Sequence, residues 1–209
     1  MHIGSALVHN MQRRLEDQVA AELQNAVTTD AKNLVNWQYA KLPVSADPAG
    51  FGPFEDLVRI WNDKRGPNGE LPARRDFDFI EFRSWLGKIS IAKVERDPFQ
   101  IRFVLWGTQL TEWWGVDYTN KVLGEASITP EAWNVVEGRY FEIMDQFPFI
   151  GVVSGYLDQH DRPYVKVMGI DLPLTEGNGL SHVISAHIEI DPDETAESIL
   201  NSNEPLEYV

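Results

Sequence analysis

The 209-residue chain has no cysteine, no long apolar run and few basic residues. Without cysteine it cannot form a disulfide, a thiolate nucleophile, a cysteine-ligated zinc or iron–sulfur site, or a cysteinyl-flavin adduct. No segment approaches the roughly 18 consecutive apolar residues of a membrane-spanning helix. The formal net charge is −14, from 18 Lys and Arg against 32 Asp and Glu, whereas nucleic acids and anionic membranes attract positive surfaces. We therefore predict that the protein binds neither nucleic acid nor membranes.

Familiar catalytic and targeting motifs are also absent. The N-terminal segment carries Glu16, Asp17 and Glu22 within its apolar pattern, which is unlike a signal peptide, so we predict a cytoplasmic protein. The chain contains no His-Glu-x-x-His sequence, no Walker loop, no Rossmann glycine fingerprint and no Gly-x-Ser-x-Gly elbow. The five histidines show no metal-ligand spacing. We predict no catalytic residues and no metal site, and the sequence leaves the identity of any cofactor open.

An amphipathic helix is predicted over residues 6–27. Its apolar residues recur every four positions and its charged residues occupy other faces, which is typical of a helix with a narrow apolar stripe. Such a helix either packs on its own domain or pairs with a second copy of the chain, and we favour a homodimer through this helix as a hypothesis. The residues of the stripe are Leu7, Met11, Leu15, Val19, Leu23 and Val27.

The rest of the chain alternates helical and strand patterns. Residues 28–53 hold several Pro and Gly with little periodicity, which indicates a connection. Helices are predicted over residues 54–64, from Asp78 to Gly87, from Leu110 to Gly115 and over 131–146. Strands are predicted over residues 88–95, 99–106, 149–157, 164–172 and 180–190, joined in antiparallel hairpins. The acidic residues after 190 predict a solvated tail with a short helix near residues 196–200.

These elements predict an α+β fold with a five-stranded antiparallel sheet and helices on one face. The early hairpin and the C-terminal three-stranded meander must meet in one sheet, because a helical segment separates them in the chain. The predicted boundaries are an N-terminal helix and linker over 1–53, a sheet domain over 54–190 and an acidic tail over 191–209. An apolar pocket between sheet and helices follows from this arrangement.

Aromatic and apolar side chains are expected to converge on that pocket. A mostly apolar lining with a few polar tips suits a small apolar or aromatic ligand. His182 attracts attention because it shares a strand face with Leu180 and Ile184; it either satisfies its hydrogen bonds with a neighbouring group or contacts the ligand. The predicted ligand-binding residues are Phe103, Leu105, Trp113, Trp114, Tyr118, Tyr140, Met144, Met168, His182 and Ile184.

Three short motifs then resemble a known family. The motifs are a Leu-Pro-x-Arg loop, an Arg-x-x-x-x-Gly-Thr strand end, and a Gly-x-Asp-x-Thr sequence after the next short helix. Together they are similar to those of small stand-alone PAS-domain proteins from proteobacteria, over roughly residues 54–190. The chain departs from the family pattern at Trp106 and Val116, which predicts a reshaped pocket. The matching residues are Leu71, Pro72, Arg74, Arg102, Gly107, Thr108, Gly115, Asp117 and Thr119.

The resemblance implies a PAS-like sensory fold rather than an enzyme. Such a domain binds a small molecule or a partner protein, and it signals by changing how its N-terminal helix packs. Two other functions remain open. One is a ligand-free interaction module. The other is a small α+β enzyme for a hydrophobic substrate, with Tyr140, His182 and Asp117 as its acid–base groups.

Overall fold

Seven antiparallel strands form one sheet among the described residues. The computed structural model describes residues 37–125, 130–157, 162–177 and 179–209, and the helix predicted over residues 6–27 lies outside these ranges. The strands are β1 (Trp37–Pro43), β2 (Ile89–Glu95), β3 (Gln100–Trp106), β4 (Phe149–Leu157), β5 (Arg162–Thr175), β6 (Leu180–Ile190) and β7 (Glu207–Tyr208). Their order across the sheet is β3-β2-β6-β5-β4-β1-β7. Consecutive strands β2–β3, β4–β5 and β5–β6 pair directly, and β2 pairs with β6.

Four α-helices and three 3-10 helices accompany the sheet within the described residues. The α-helices are α1 (Glu55–Asp63), α2 (Thr108–Trp114), α3 (Pro130–Gln146) and α4 (Ala196–Ile199). The 3-10 helices are Pro48–Phe54, Arg74–Asp76 and Phe79–Trp85. None of the described helices combines the length and the apolar character needed to cross a membrane.

The larger apolar core lies between one face of the sheet and α1. Leu57, Val58 and Trp61 of α1 are at most 1% exposed, and the indole Nε1 of Trp61 donates to the carbonyl of Pro173 at 3.0 Å. Alternate strand residues supply the opposing surface because side chains of successive strand residues point to opposite faces. These strand residues include Leu42, Ile89, Ile91, Ile150, Val152, Met168, Ile170, Leu172, Ile184 and Ala186. We call this face the core face.

Two helix ends that the sequence predicts are present in the structure. The Asp78 carboxylate accepts from the amide of Ile80 at 3.0 Å, and Glu81 accepts from the amide of Asp78 at 2.8 Å. This capping box was expected, although the helix that it starts is 3-10 rather than α. Gly115 ends α2 at a φ of 72°, a conformation that a residue without a Cβ adopts easily.

The predicted union of hairpin and meander is confirmed, since β2 pairs with β6. The number of strands and the placement of helices are corrected. The sheet has seven strands rather than five, because residues 37–43 of the predicted connection form β1 and residues 207–208 form β7. Helices cover both faces rather than one: α1 packs beside Ile170, whereas α3 reaches the neighbouring residue Asp171, which points the other way.

The predicted acidic tail is partly built into the fold. Ala196 and Leu200 are 3% and 6% exposed, and the amide of Asn201 donates to the carbonyl of Gly50 at 2.9 Å. β7 then pairs with β1. The short helix expected near residues 196–200 is present as α4, but the segment is not simply solvated.

Candidate functional site

A row of polar residues crosses the sheet on the face opposite the core, which we call the cavity face. Strand register places Ser90 of β2 beside Ser185 of β6, and Ser185 beside Asp171 of β5. Gly151 of β4 lies on the other side of Asp171. Since cross-strand partners share a face, the three polar side chains form one continuous line. The middle of the sheet therefore carries polar groups where a second apolar core would be expected.

Asp171 is the most deeply buried acid of this row, with 4% of its surface exposed. The Tyr140 hydroxyl of α3 donates to Asp171 Oδ2 at 2.9 Å, and the Ser185 hydroxyl donates to Oδ1. Burial raises the pKa of Asp171 because it disfavours the charged form, while the two hydrogen bonds act in the opposite direction. Both carboxylate oxygens are thus held by neutral hydroxyl groups.

Gly151 makes the approach of α3 feasible. A Cβ at this position would overlap the Tyr140 hydroxyl and would come within 3.1 Å of the Asp171 Cβ. Only a residue without a side chain leaves room for the tyrosine to reach the sheet here. The glycine therefore helps to fix the position of Tyr140 against Asp171.

A second acid, Glu137, lies one turn before Tyr140 on α3. It is partly exposed, and its Oε1 accepts from the Tyr39 hydroxyl of β1 at 3.1 Å. Burial raises the pKa of Glu137 to about 8; the hydrogen bond from Tyr39 lowers it, and the charge of Asp171 raises it further. Burial also raises the pKa of Tyr39 well above its ordinary value. Near neutral pH the Glu137 carboxyl therefore holds a proton in most molecules.

His187 lies on β6 two residues after Ser185, directly across from Gly169 of β5. Its imidazole lies over that glycine, where a Cβ would come within 2.6 Å of Nε2. Burial lowers the pKa of His187 to about 4, so the ring is neutral at physiological pH. Its Nδ1 is buried without a hydrogen-bond partner.

Aromatic rings enclose the space above these polar rows. Trp106 at the end of β3 lies at the centre of the group, with ring centroids 4.9 Å from Phe103, 4.9 Å from Tyr118 and 5.6 Å from Trp114. Trp114 also meets the His187 ring edge to face at 5.1 Å. Burial raises the pKa of Tyr118 to about 12, so its hydroxyl remains protonated.

The polar rows and the rings together line one cavity. The cavity has a volume of about 70 Å³, which leaves room for several water molecules or one small organic molecule. Its lining comprises Trp37, Tyr39, Ser90, Phe103, Trp106, Trp114, Tyr118, Leu123, Gly124, Glu137, Tyr140, Phe141, Val153, Asp171, Ser185 and His187.

Several residues of the lining carry a buried polar atom without a partner. Within the described ranges, five buried side-chain nitrogen or oxygen atoms have no hydrogen-bond partner. Three of the five belong to cavity residues: Ser90 Oγ, Trp106 Nε1 and His187 Nδ1. An unpaired buried polar atom is costly, and a bound water or ligand is a common explanation for one.

The structure brings together four of the ten predicted ligand-binding residues: Phe103, Trp114, Tyr118 and Tyr140. Leu105, Met168 and Ile184 instead pack on the core face. Trp113 and Met144 are buried but do not line the cavity. His182 is also outside it: its Nδ1 is 3.2 Å from the Ser181 hydroxyl, and burial lowers its pKa.

The misplacement of Met168, His182 and Ile184 has one cause. The prediction assigned the more apolar face of β5 and β6 to the pocket, but that face packs against α1, and the cavity lies on the other face. Two signals pointed to the correct face: a single acid, Asp171, within an otherwise apolar strand, and the pair Ser185 and His187 on alternate positions of β6. The residues that the prediction missed include Trp37, Tyr39, Ser90, Glu137, Asp171, Ser185 and His187.

The acid–base set considered for an enzyme is not assembled. Tyr140 lines the cavity, whereas His182 lies outside it. Asp117 lies in the turn after α2, where it accepts from the amide of Thr119 at 2.8 Å. No group of three or more acidic or histidine side chains suited to a metal ion occurs in the part of the chain that the structure describes.

Comparison with known proteins found no family model, no curated protein and no solved structure that matches this chain.

Proposed function

We propose that this protein is a PAS-like sensory or regulatory domain that binds a small molecule in the cavity between the sheet and helices α2 and α3. The observation that carries the proposal is that three residues lining one cavity, Ser90, Trp106 and His187, each hold a buried polar side-chain atom without a hydrogen-bond partner. A ligand with polar atoms satisfies these groups. A ligand-free interaction module gives no reason for retaining three such groups in one place.

Two of the three motifs support the proposal because they flank aromatic residues that line the cavity. Gly107 precedes α2 and Gly115 ends it, so the two glycines set the position of Trp114. Asp117 holds the following turn, and the Arg102 guanidinium donates to the carbonyl of Asn120 at 2.8 Å. Trp106, where the chain departs from the family pattern, lies in the wall itself. These two motifs therefore position the lining, and the departure at Trp106 changes it, whereas Leu71 of the first motif packs against the core face.

The first experiment asks whether the cavity binds anything. We expect a small molecule to accompany the purified protein in native mass spectrometry, or members of a panel of small polar compounds to raise its melting temperature. Ser90→Leu, which fills part of the cavity, should abolish both effects. Ser84→Leu makes the same substitution at an exposed position away from the cavity and should preserve them. Absence of any bound molecule and of any stabilising compound would contradict the proposal.

Signal output is proposed to pass through residues 6–27, as a homodimer contact whose packing responds to the ligand. Light scattering should give the mass of a dimer for the full chain and of a monomer for a variant that lacks residues 1–27. An unchanged mass would remove this part of the proposal and leave the cavity unaffected.

A second candidate function is acid–base catalysis, because Glu137 and Asp171 are two carboxyl groups with raised pKa values in one cavity. An acid with a pKa of about 8 can donate and accept a proton near neutrality. The two functions differ in what happens to the ligand: an enzyme converts a bound compound, and Glu137→Gln abolishes the conversion, whereas a sensor returns the compound unchanged.

A further inference from the structure

We infer that the ligand of the cavity is a small organic cation, an amine or a methylated ammonium group, that also carries a hydrogen-bond acceptor. The inference rests on the proposed function, because it names the ligand class of the same cavity. Four observations on the described residues carry it: two acids that pair with no described cation, aromatic walls, the absence of Lys and Arg from the described lining, and two deeply buried polar groups that lack a partner.

Among the described residues, the hydrogen bonds to the two acids come from neutral hydroxyl groups. Tyr140 and Ser185 donate to Asp171, and Tyr39 donates to Glu137. The ion pairs formed among the described residues involve other acids, such as the pair between Arg96 and Asp145 at 2.7 Å. A buried carboxylate without a counter-charge is unfavourable, so it either takes up a proton or attracts a cation.

The lining selects for positive charge. None of the cavity residues is Lys or Arg, and the side chains that carry a formal negative charge when ionised are Glu137 and Asp171. An anionic ligand would therefore meet two acids and no cation. A neutral apolar ligand would leave the unpaired polar atoms unsatisfied.

The walls suit the charged end of such a ligand. Trp37, Trp106, Trp114, Phe103 and Tyr118 line the cavity, and the negative faces of aromatic rings attract organic cations. This attraction is strongest where water is excluded. Aromatic rings beside acids thus favour a cation over a neutral molecule of the same shape.

The unpaired atoms define the rest of the ligand. Ser90 is 1% exposed and His187 is 8% exposed, and neither Ser90 Oγ nor His187 Nδ1 has a partner. Trp106 Nε1 is a donor only, so it requires an acceptor on the ligand. A hydroxyl group near the ammonium group meets this requirement.

The raised pKa values are consistent with this reading. Burial is the main cause that raises the pKa of each acid. A bound ammonium group would favour their ionised forms.

The test uses two pairs of probes that differ in charge and share a shape: choline with 3,3-dimethyl-1-butanol, and ethanolamine with 1-propanol. Isothermal titration of the full-length protein should show that, in at least one pair, the cation binds at least tenfold more tightly than its neutral counterpart. Asp171→Asn should reduce the affinity for that cation at least tenfold. Glu112→Gln removes one negative charge from an exposed position of α2 and should leave the affinity unchanged.

Glu137→Gln is the second variant, in case Asp171→Asn fails to fold, because Glu137 is partly exposed and tolerates change better. It should also weaken the cation and spare the neutral probe. If neither cation binds more tightly than its neutral counterpart, the inference is overturned. Binding of other compounds in the first experiment would still support a ligand-binding cavity, whereas a cavity that binds nothing at all removes the proposed function itself.

Discussion

The two faces of the sheet come from the same strands and yet have opposite characters. On the core face, Ile170 and its neighbours are fully buried by α1 and the 3-10 helices. On the cavity face, the next residue along β5 is Asp171, and it contacts hydroxyl groups and lines a space. One face stabilises the fold and the other retains buried polar groups at a cost in stability. Such a cost is common where a protein binds or reacts with something.

The largest loss of stability is expected from a substitution on the core face. Ile170→Ala removes a fully buried side chain and should lower the free energy of unfolding by about 2–5 kcal/mol, because it loses apolar burial and leaves a cavity. Urea denaturation measures the change. Val104→Ala, at a position 42% exposed, is the matched control and should cost less than about 0.5 kcal/mol. Similar losses for the two variants would contradict the assignment of the core.

On the cavity face, Gly151→Ala should destabilise the protein by about 1–3 kcal/mol, because the new Cβ overlaps the Tyr140 hydroxyl. Tyr140→Phe removes that hydroxyl, so the double variant should recover part of the loss. A double-mutant cycle in chemical denaturation measures the coupling between the two positions. Strictly additive effects would mean that Tyr140 does not approach Gly151.

Proton linkage should also distinguish the faces, since Glu137 and His187, whose pKa values are shifted, both line the cavity. Glu137 has a pKa of about 8 in the folded protein and an ordinary value of 4.5 when unfolded. The folded state therefore binds more protons between these values, and stability falls as the pH rises through them, by up to about 1.4 kcal/mol per pH unit for one full proton.

The opposite slope applies to His187, whose pKa falls from 6.5 to about 4 on folding. The unfolded chain binds more protons between these values, so stability is lost as the pH drops from about 6.5 to 4.

Because of Glu137, we expect the melting temperature of the unmodified protein to fall between pH 6.5 and 8. Glu137→Gln should flatten that decline, and an identical decline in the variant would count against the buried acid.

The smallest expected effects come from two serines that are cross-strand neighbours. Ser90→Ala removes an unpaired hydroxyl and should raise the free energy of unfolding of the ligand-free protein by about 1 kcal/mol. Ser185→Ala removes a donor to Asp171 and should lower it by about 1 kcal/mol. Thermal and urea unfolding measure both. Changes of the same sign would show that the two hydroxyls do not differ in pairing.

The local elements were largely predictable from the sequence. Alternating residues predicted β3 and β6, and Gly115 and the capping box at Asp78 marked helix ends. β1 was missed because Trp37 and Tyr39 face the cavity while Ala40 and Leu42 face the core, so the strand shows no simple alternation of apolar and polar residues. Its partners β4 and β7 lie more than a hundred residues away in the chain.

The site was predictable only in part. When a strand is covered on both faces, its sequence does not reveal which helix packs against which face. The aromatic residues near α2 were found from their density in the sequence. Asp171, Ser185 and Ser90 become neighbours only through the register of three strands. That register depends on long-range pairing, which periodicity within one strand does not report.

Strand β1 joins the described fold to the first 36 residues, and its two sets of side chains limit how it can move. Tyr39 is anchored to Glu137 on one face, and Leu42 is fully buried on the other. A slip of one residue along β4 would exchange the two faces, so Tyr39 would enter the core and Leu42 would leave it. A ligand near Glu137 therefore cannot shift this strand gradually along its axis. Any displacement passed towards the N-terminal residues must come from tilting or peeling of the whole strand.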